Sequence, residues 1–315
     1  MEMRRLGRME ITIAPLVLGG NVFGWNCDRE TTFAVLDAFL DAGFNAVDTA
    51  DVYNRYQPGL KGGESETLIG EWMKARGNRD KVVVVTKGGL PMGEGMEGLG
   101  RDYLPRACEA SLERLQTDYI DVYMSHRADA NTPIAETLET FQGLIDAGKI
   151  RYAGASNYTA AELAEALAAA GGGCARYEVV QPLYNLAQRA AYEGELESVC
   201  EANGLGVIAY YALAAGFLTG KYRSESDFEG ADRGHVVKNL VNPSGLALLE
   251  AVDDVAARHS ATPAQVALAW LMARPSVTAP IASVTKMPQL DDILGSARIE
   301  LSADDLAALD AARID

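Results

Sequence analysis

Short, unbroken apolar runs alternate along this chain with longer stretches of helical periodicity. The runs at 15–18, 44–47, 81–86, 119–124, 150–154, 178–180, 205–210 and 277–281 predict strands. Helices are predicted over 31–42, 64–76, 102–115, 133–147, 159–170, 192–203, 243–259, 263–273 and 288–294. Gly43, Gly148 and Gly204 stop three of these helices, and Gly171-Gly172-Gly173 breaks a fourth. A hairpin over 4–8 and 10–13 precedes the first strand. Ser302-Ala303-Asp304-Asp305 reads as a capping box opening a terminal helix that runs to Ala312. Strands apolar on both faces need cover on both sides, which means a parallel sheet flanked by helices. Eight such units close into a barrel more readily than they lie open. The expected fold is α/β: a (β/α)8 TIM barrel with an N-terminal β-hairpin and extra C-terminal helices. No linker or repeat divides it, so 1–315 reads as one domain.

Three of the apolar runs end on an ionisable side chain. Phe44-Asn45-Ala46-Val47 leads into Asp48, and Tyr53 follows five positions later. The valine run at 82–85, with Thr86, leads into Lys87, and the run over 119–125 leads into His126. A polar group at the tip of a buried strand is costly unless it is partnered or used. A barrel of this kind builds its active site at those tips. Each residue alone has an ordinary explanation: a solvated lysine, a helix-capping aspartate, a packed tyrosine, a structural histidine. Together they make chemical sense. Carbonyl reduction by a nicotinamide requires a proton on the developing alkoxide, which the protein must supply. Tyr53 is a weak acid at its ordinary pKa of about 10, and an adjacent ammonium lowers that value. Lys87 is the candidate ammonium, with Asp48 holding it charged. His126 is the candidate hydrogen-bond donor to the carbonyl oxygen.

Composition narrows the function classes. The chain has 315 residues, of which 48% are hydrophobic, enough for one large core. The net charge of −16 argues against nucleic acid and anionic membranes as partners, and leaves a small-molecule carbonyl or alcohol as the expected substrate. Any anionic ligand then needs local cations. Cys27, Cys108, Cys174 and Cys200 form neither a disulfide frame nor a zinc spacing, which suits reduced thiols in the cytoplasm. No apolar signal region opens the chain, and no apolar run approaches a membrane span. Gly93-Glu94-Gly95-Met96-Glu97-Gly98 matches the dinucleotide fingerprint GxGxxG. It lacks the strand–turn–helix setting, and its two glutamates would repel a pyrophosphate. It reads as an acidic loop.

The motifs are similar to those of the aldo-keto reductase superfamily over nearly the whole length, including the branch of potassium-channel β subunits. Asp48-Thr49-Ala50-Asp51-Val52-Tyr53 resembles its Asp–Tyr motif. Gly63-Glu64-Ser65-Glu66 with Gly70 resembles its glycine–glutamate element, and Thr86-Lys87 and Ser125-His126-Arg127 its lysine and histidine motifs. The resemblance implies NADP(H)-linked carbonyl reduction, NAD(H) being the alternative, with Tyr53 as general acid/base assisted by Lys87, Asp48 and His126. It further implies a cofactor site. Ser156, Asn157 and Gln181 would grip the nicotinamide amide, beside Asp48, Gly20 and Asn21. Tyr210 would stack on the nicotinamide ring. Leu213, Gly216 and Lys221 would lie in the pyrophosphate loop. Ser283, Thr285, Lys286, Gln289 and Asp292 would hold the adenosine end. Phe23 and Trp25, with Tyr53 and His126, are expected around the substrate. The chain departs from the family at Tyr211-Ala212, where Ser-Pro is common, and at Ser283, Thr285 and Ile293. Lys286 and Arg233 are the cations left for a 2′-phosphate. Two other readings are a cofactor-binding regulatory module without turnover and a Schiff-base aldolase using Lys87.

Overall fold

A computed structural model describes residues 1–228 and 234–314 of the chain. Eight parallel strands form a closed barrel: β3 (Val17–Gly19), β4 (Ala46–Asp48), β5 (Val83–Gly88), β6 (Ile120–Ser125), β7 (Ile150–Ser156), β8 (Tyr177–Gln181), β9 (Gly206–Ala209) and β10 (Ala279–Ala282). β10 pairs with both β3 and β9, which completes the ring. The strands follow chain order around it. This is the (β/α)8 architecture that the alternation of runs requires.

Helices cover the outside. They are α1 (Arg29–Asp41), α2 (Glu64–Arg76), α3 (Leu104–Leu115), α4 (Ile134–Asp146), α5 (Ala160–Ala169) and α6 (Glu195–Asn203). After β9 come a short α7 (Gly234–Val237), α8 (Pro243–His259) and α9 (Pro263–Met272). α10 (Met287–Gly295) follows β10, and α11 (Ala303–Ala311) ends the chain. Their starts are written in the sequence. Thr159, Thr262 and Ser302 each form a reciprocal capping box, with Glu162, Gln265 and Asp305. α3 begins at Leu104 instead of 102, and α6 at Glu195 instead of 192, because the preceding residues form turns.

Two apolar layers result. The outer layer lies between strands and helices, and the inner one fills the barrel. The N-terminal hairpin pairs only Arg4–Arg5 (β1) with Thr12–Ile13 (β2), a shorter ladder than the sequence suggests. Its loop residues Leu6, Met9 and Ile11, with Ile13, join Val17, Ala46, Val122, Val179 and Ile208 in the inner layer. The hairpin therefore plugs the N-terminal mouth and leaves the C-terminal mouth as the open end.

Candidate active site

Strand periodicity places the site. Side chains alternate between the two faces of a strand. In β5 Val85 belongs to the inner layer, so Lys87 projects to the same side. Ala46 sets Asp48 in the same way, Val179 sets Gln181, and Val122 with Met124 sets His126 one residue beyond β6. Tyr210 continues the inward row of Ile208, and Ser283 that of Ala279 and Ile281. All of these lie at the C-terminal mouth.

The four candidates converge there. Lys87 Nζ, fully buried, donates to Asp48 Oδ1 at 2.8 Å and Oδ2 at 2.9 Å, to the Thr49 carbonyl at 2.8 Å and to the Tyr53 hydroxyl at 2.8 Å. The Tyr53 hydroxyl donates to Asp48 Oδ2 at 3.0 Å. The His126 ring stands edge-on to that of Tyr53, with centroids 6.1 Å apart. Gln181 Nε2 donates to Asp48 Oδ1 at 2.7 Å. Asn157 Nδ2 donates to the His126 carbonyl at 2.9 Å and to Ser156 Oγ at 3.0 Å, and Tyr210 donates to Asn157 Oδ1 at 2.7 Å. One network thus joins the catalytic candidates to the three residues expected at the nicotinamide amide.

The electrostatics correct one expectation. The Tyr53 phenol is not acidified: burial first, and then the Asp48 carboxylate that accepts its hydrogen bond, hold its pKa well above the usual value. The phenol stays protonated, the state an acid needs. Burial draws the Lys87 pKa down against the opposing pull of Asp48. Burial, with Lys87 and Arg127 adding to it, drives His126 well below the ordinary imidazole value. The histidine is neutral, and among the described residues its Nδ1 has no hydrogen-bond partner.

A groove of about 470 Å³ opens beside this centre. Asp48 and Tyr53 wall one end, with Asn21 and Trp25 alongside. The groove continues along Tyr210, Leu213, Gly216 and Lys221 to Ser283, Thr285, Gln289 and Asp292. The Lys221 ammonium folds over the turn at Gly216: a Cβ there would lie 3.1 Å from Nζ. Ala214, Ala215 and Gly216 all carry positive φ (47°, 54° and 92°), which gives the tight bend that brings this cation into the groove. An aromatic wall at one end, a cation midway and polar side chains at the other fit a dinucleotide. Asp292 accepts from Thr262 at 2.7 Å, and Gln289 Oε1 accepts from the Thr285 N–H at 2.8 Å.

Other expected residues fall outside the groove lining. Phe23 is fully buried and packs towards Gly20, so it belongs to the core and not to a substrate pocket. Gly20 lies behind the wall, where its carbonyl accepts from Ser65. Lys286 is exposed at the N-terminus of α10. Arg233 lies outside the described residues. The loop at 93–98 is a turn in which Met92 N–H donates to Met96 O at 2.8 Å, with no helix before Leu104. It is not a dinucleotide motif. Val22, Asn26, Tyr222 and Ala264 also line the groove. Tyr222 closes the loop segment matched to the family's pyrophosphate loop; Val22, Asn26 and Ala264 were not singled out, because a turn residue or an alanine on a helix carries no chemical signal of its own.

The model of the aldo/keto reductase family matches residues 15–314. This chain belongs to that family. Among relatives, the uncharacterized oxidoreductase YrpG of Bacillus subtilis (strain 168) is 35% identical, with 98% of this chain and 95% of that protein covered. A probable voltage-gated potassium channel subunit beta of Oryza sativa subsp. japonica is 33% identical, over 92% of this chain and 89% of the relative. Protein tas of Escherichia coli (strain K12) is 32% identical, over 99% and 97%. Among the described residues of this family member, no helix is long and apolar enough to cross a membrane.

Proposed function

We propose that this aldo/keto reductase family member is an NADP(H)-dependent oxidoreductase that interconverts small aldehydes or ketones and their alcohols in the cytoplasm. The observation that carries the reading is the Tyr53 hydroxyl, within 3.0 Å of both Lys87 and Asp48 at the end of the groove. A reduced nicotinamide, when bound, supplies the hydride. The residues do the rest. Tyr53, kept protonated, donates its proton to the developing alkoxide. Lys87 stabilises the phenolate left behind, and Asp48 holds the ammonium charged. Neutral His126 is placed to hydrogen-bond the carbonyl oxygen from a ring N–H. Gln181, Asn157 and Ser156 offer amide and hydroxyl groups for the nicotinamide carboxamide, and Tyr210 offers a ring face. Lys221 supplies the local cation that a phosphate needs in a chain of net charge −16. Lys286 favours the 2′-phosphorylated cofactor.

The four contacts of Lys87 Nζ weigh against a Schiff-base aldolase, because a nucleophilic amine must be free and uncharged. A regulatory module would bind NADPH without turnover. The two are separated by following NADPH absorbance with a panel of aliphatic, aromatic and sugar carbonyls. Oxidation dependent on at least one carbonyl is expected, with weaker binding of NADH. Tight NADPH binding with no turnover on any of them would favour the module.

A further inference from the structure

The catalytic lysine stands beside two buried ion pairs and a third carboxyl that forms no ion pair among the described residues. Asp48 pairs with Lys87. Behind β5, Glu66 of α2 pairs with Arg114 of α3 at 2.7 Å. Thr86 Oγ1 donates to Glu66 Oε1 at 2.6 Å, so the residue before Lys87 is tied to that second pair. Asp51 lies against the same strand, and its backbone N–H donates to the Lys87 carbonyl at 3.1 Å. Its side chain is buried, and among the described residues neither carboxyl oxygen has a side-chain hydrogen-bond partner; the backbone N–H of Val52 is the donor beside it. The Tyr123 hydroxyl of β6 is likewise buried, with no hydrogen-bond partner among the described residues. A Cβ on Gly88 would lie 2.2 Å from that hydroxyl and 3.6 Å from Asp51 Oδ2. The two groups therefore converge on the backbone immediately after Lys87.

The charges do not cancel. Three carboxyls, Asp48, Asp51 and Glu66, face two cations, Lys87 and Arg114. An isolated carboxylate in a dry site is expensive, and the usual relief is to keep its proton. Burial, and then Glu66, push the Asp51 carboxyl up to about 8, against the pull of Arg114, the Val52 backbone N–H and Lys87. The phenols of Tyr103 and Tyr123 lie near it as uncharged groups, each itself pushed upward, mainly by burial.

We infer that Asp51 is a positioning residue of the active site: as a neutral acid it leaves the Lys87 charge to Tyr53, and as a carboxylate it draws that charge away. The inference rests on the reading of Tyr53 as proton donor. Asp51 takes no part in the transfer, and the proton it loses goes to solvent. Once charged, it compensates part of the ammonium field and makes the departing phenolate harder to form.

The test compares wild type with Asp51→Asn, an uncharged mimic of the protonated acid, in NADPH-linked reduction of 4-nitrobenzaldehyde. The ratio of kcat/KM, variant over wild type, should rise about fivefold between pH ~6.5 and ~9. A packing role alone would give a ratio independent of pH, and that result overturns the inference. Melting temperature gives a readout apart from activity. Asp51 keeps its proton when folded but releases it near pH ~4 when unfolded, so ionisation costs the native state progressively up to about pH 8. Wild type should therefore lose several degrees relative to Asp51→Asn over that range, and a constant difference means that Asp51 does not titrate there. If wild type oxidises no NADPH at any pH, the oxidoreductase reading itself fails, and with it the reaction that Asp51 would serve.

Discussion

Lys87 shows how one side chain can be both buried and ionic. Its ammonium has lost its water, and the loss is offset by a bidentate carboxylate, a carbonyl and a hydroxyl on one side. Removing one partner of such a pair leaves the other charge bare, typically a cost of ~3–5 kcal/mol. His126 presents the opposite case, a group that burial keeps uncharged. Its pKa is lower folded than unfolded, so the unfolded chain takes up a proton first as the pH drops. The stability it contributes is present above the unfolded value of ~6.5 and is lost below it. Against His126→Gln, wild type should lose melting temperature on going from pH ~7 to ~5, and calorimetry across that range checks it. Asp48, Lys87 and His126 were legible in the sequence because each is a lone ionisable group closing an apolar run, and Tyr53 because it follows Asp48 by five positions. Asp51 was not. It sits between Ala50 and Val52 in the loop after β4 and closes no apolar run, and only the fold reveals that its carboxyl forms no ion pair among the described residues.

At the scale of elements, the glycine–glutamate segment that opens α2 is a structural joint. Ser65 Oγ donates to the Gly20 carbonyl at 2.8 Å and lies 2.8 Å from Thr49 Oγ1, tying α2 to the tips of β3 and β4. Glu66 reaches Thr86 and Arg114, tying it to β5 and α3. Gly70 lets the helices touch: a Cβ there would lie 2.2 Å from the Arg114 carbonyl oxygen and 2.5 Å from the Leu115 carbonyl carbon. Alanine would gain helix propensity but would force α3 away. Gly70→Ala is expected to destabilise by ~1–3 kcal/mol, measured by chemical denaturation, with a loss of turnover larger than a surface substitution causes. Strand and helix identities were readable because continuous apolar runs and 3.6-residue periodicity are local properties. The ends were less so. The hairpin ladder is shorter than its sequence suggests, since Leu6, Met9 and Ile11 are recruited into the barrel instead of extending the strands. Phe23 was misplaced for a related reason: an aromatic in a mouth loop can turn inward as readily as outward, and the packing beside Gly20 decides.

At the scale of the whole molecule, the barrel is closed below by the hairpin and open above, so every inward row of side chains ends in the same mouth. That geometry assembles a site from residues more than a hundred positions apart, as in the Gln181–Asp48 bond. The chain as a whole carries a large negative charge. Self-repulsion from a net charge of −16 destabilises the compact state and is screened by salt. The melting temperature should therefore rise between ~10 and ~200 mM sodium chloride, as scanning calorimetry would show. The central claim is that the Tyr53 phenol supplies the proton. It is tested most directly by Tyr53→Phe, with NADPH affinity measured by fluorescence and turnover by absorbance on the same preparation. The account predicts a dissociation constant close to that of wild type with kcat down by a factor of ~10²–10⁴. A variant that binds NADPH equally well and still reduces carbonyls at the wild-type rate would contradict it.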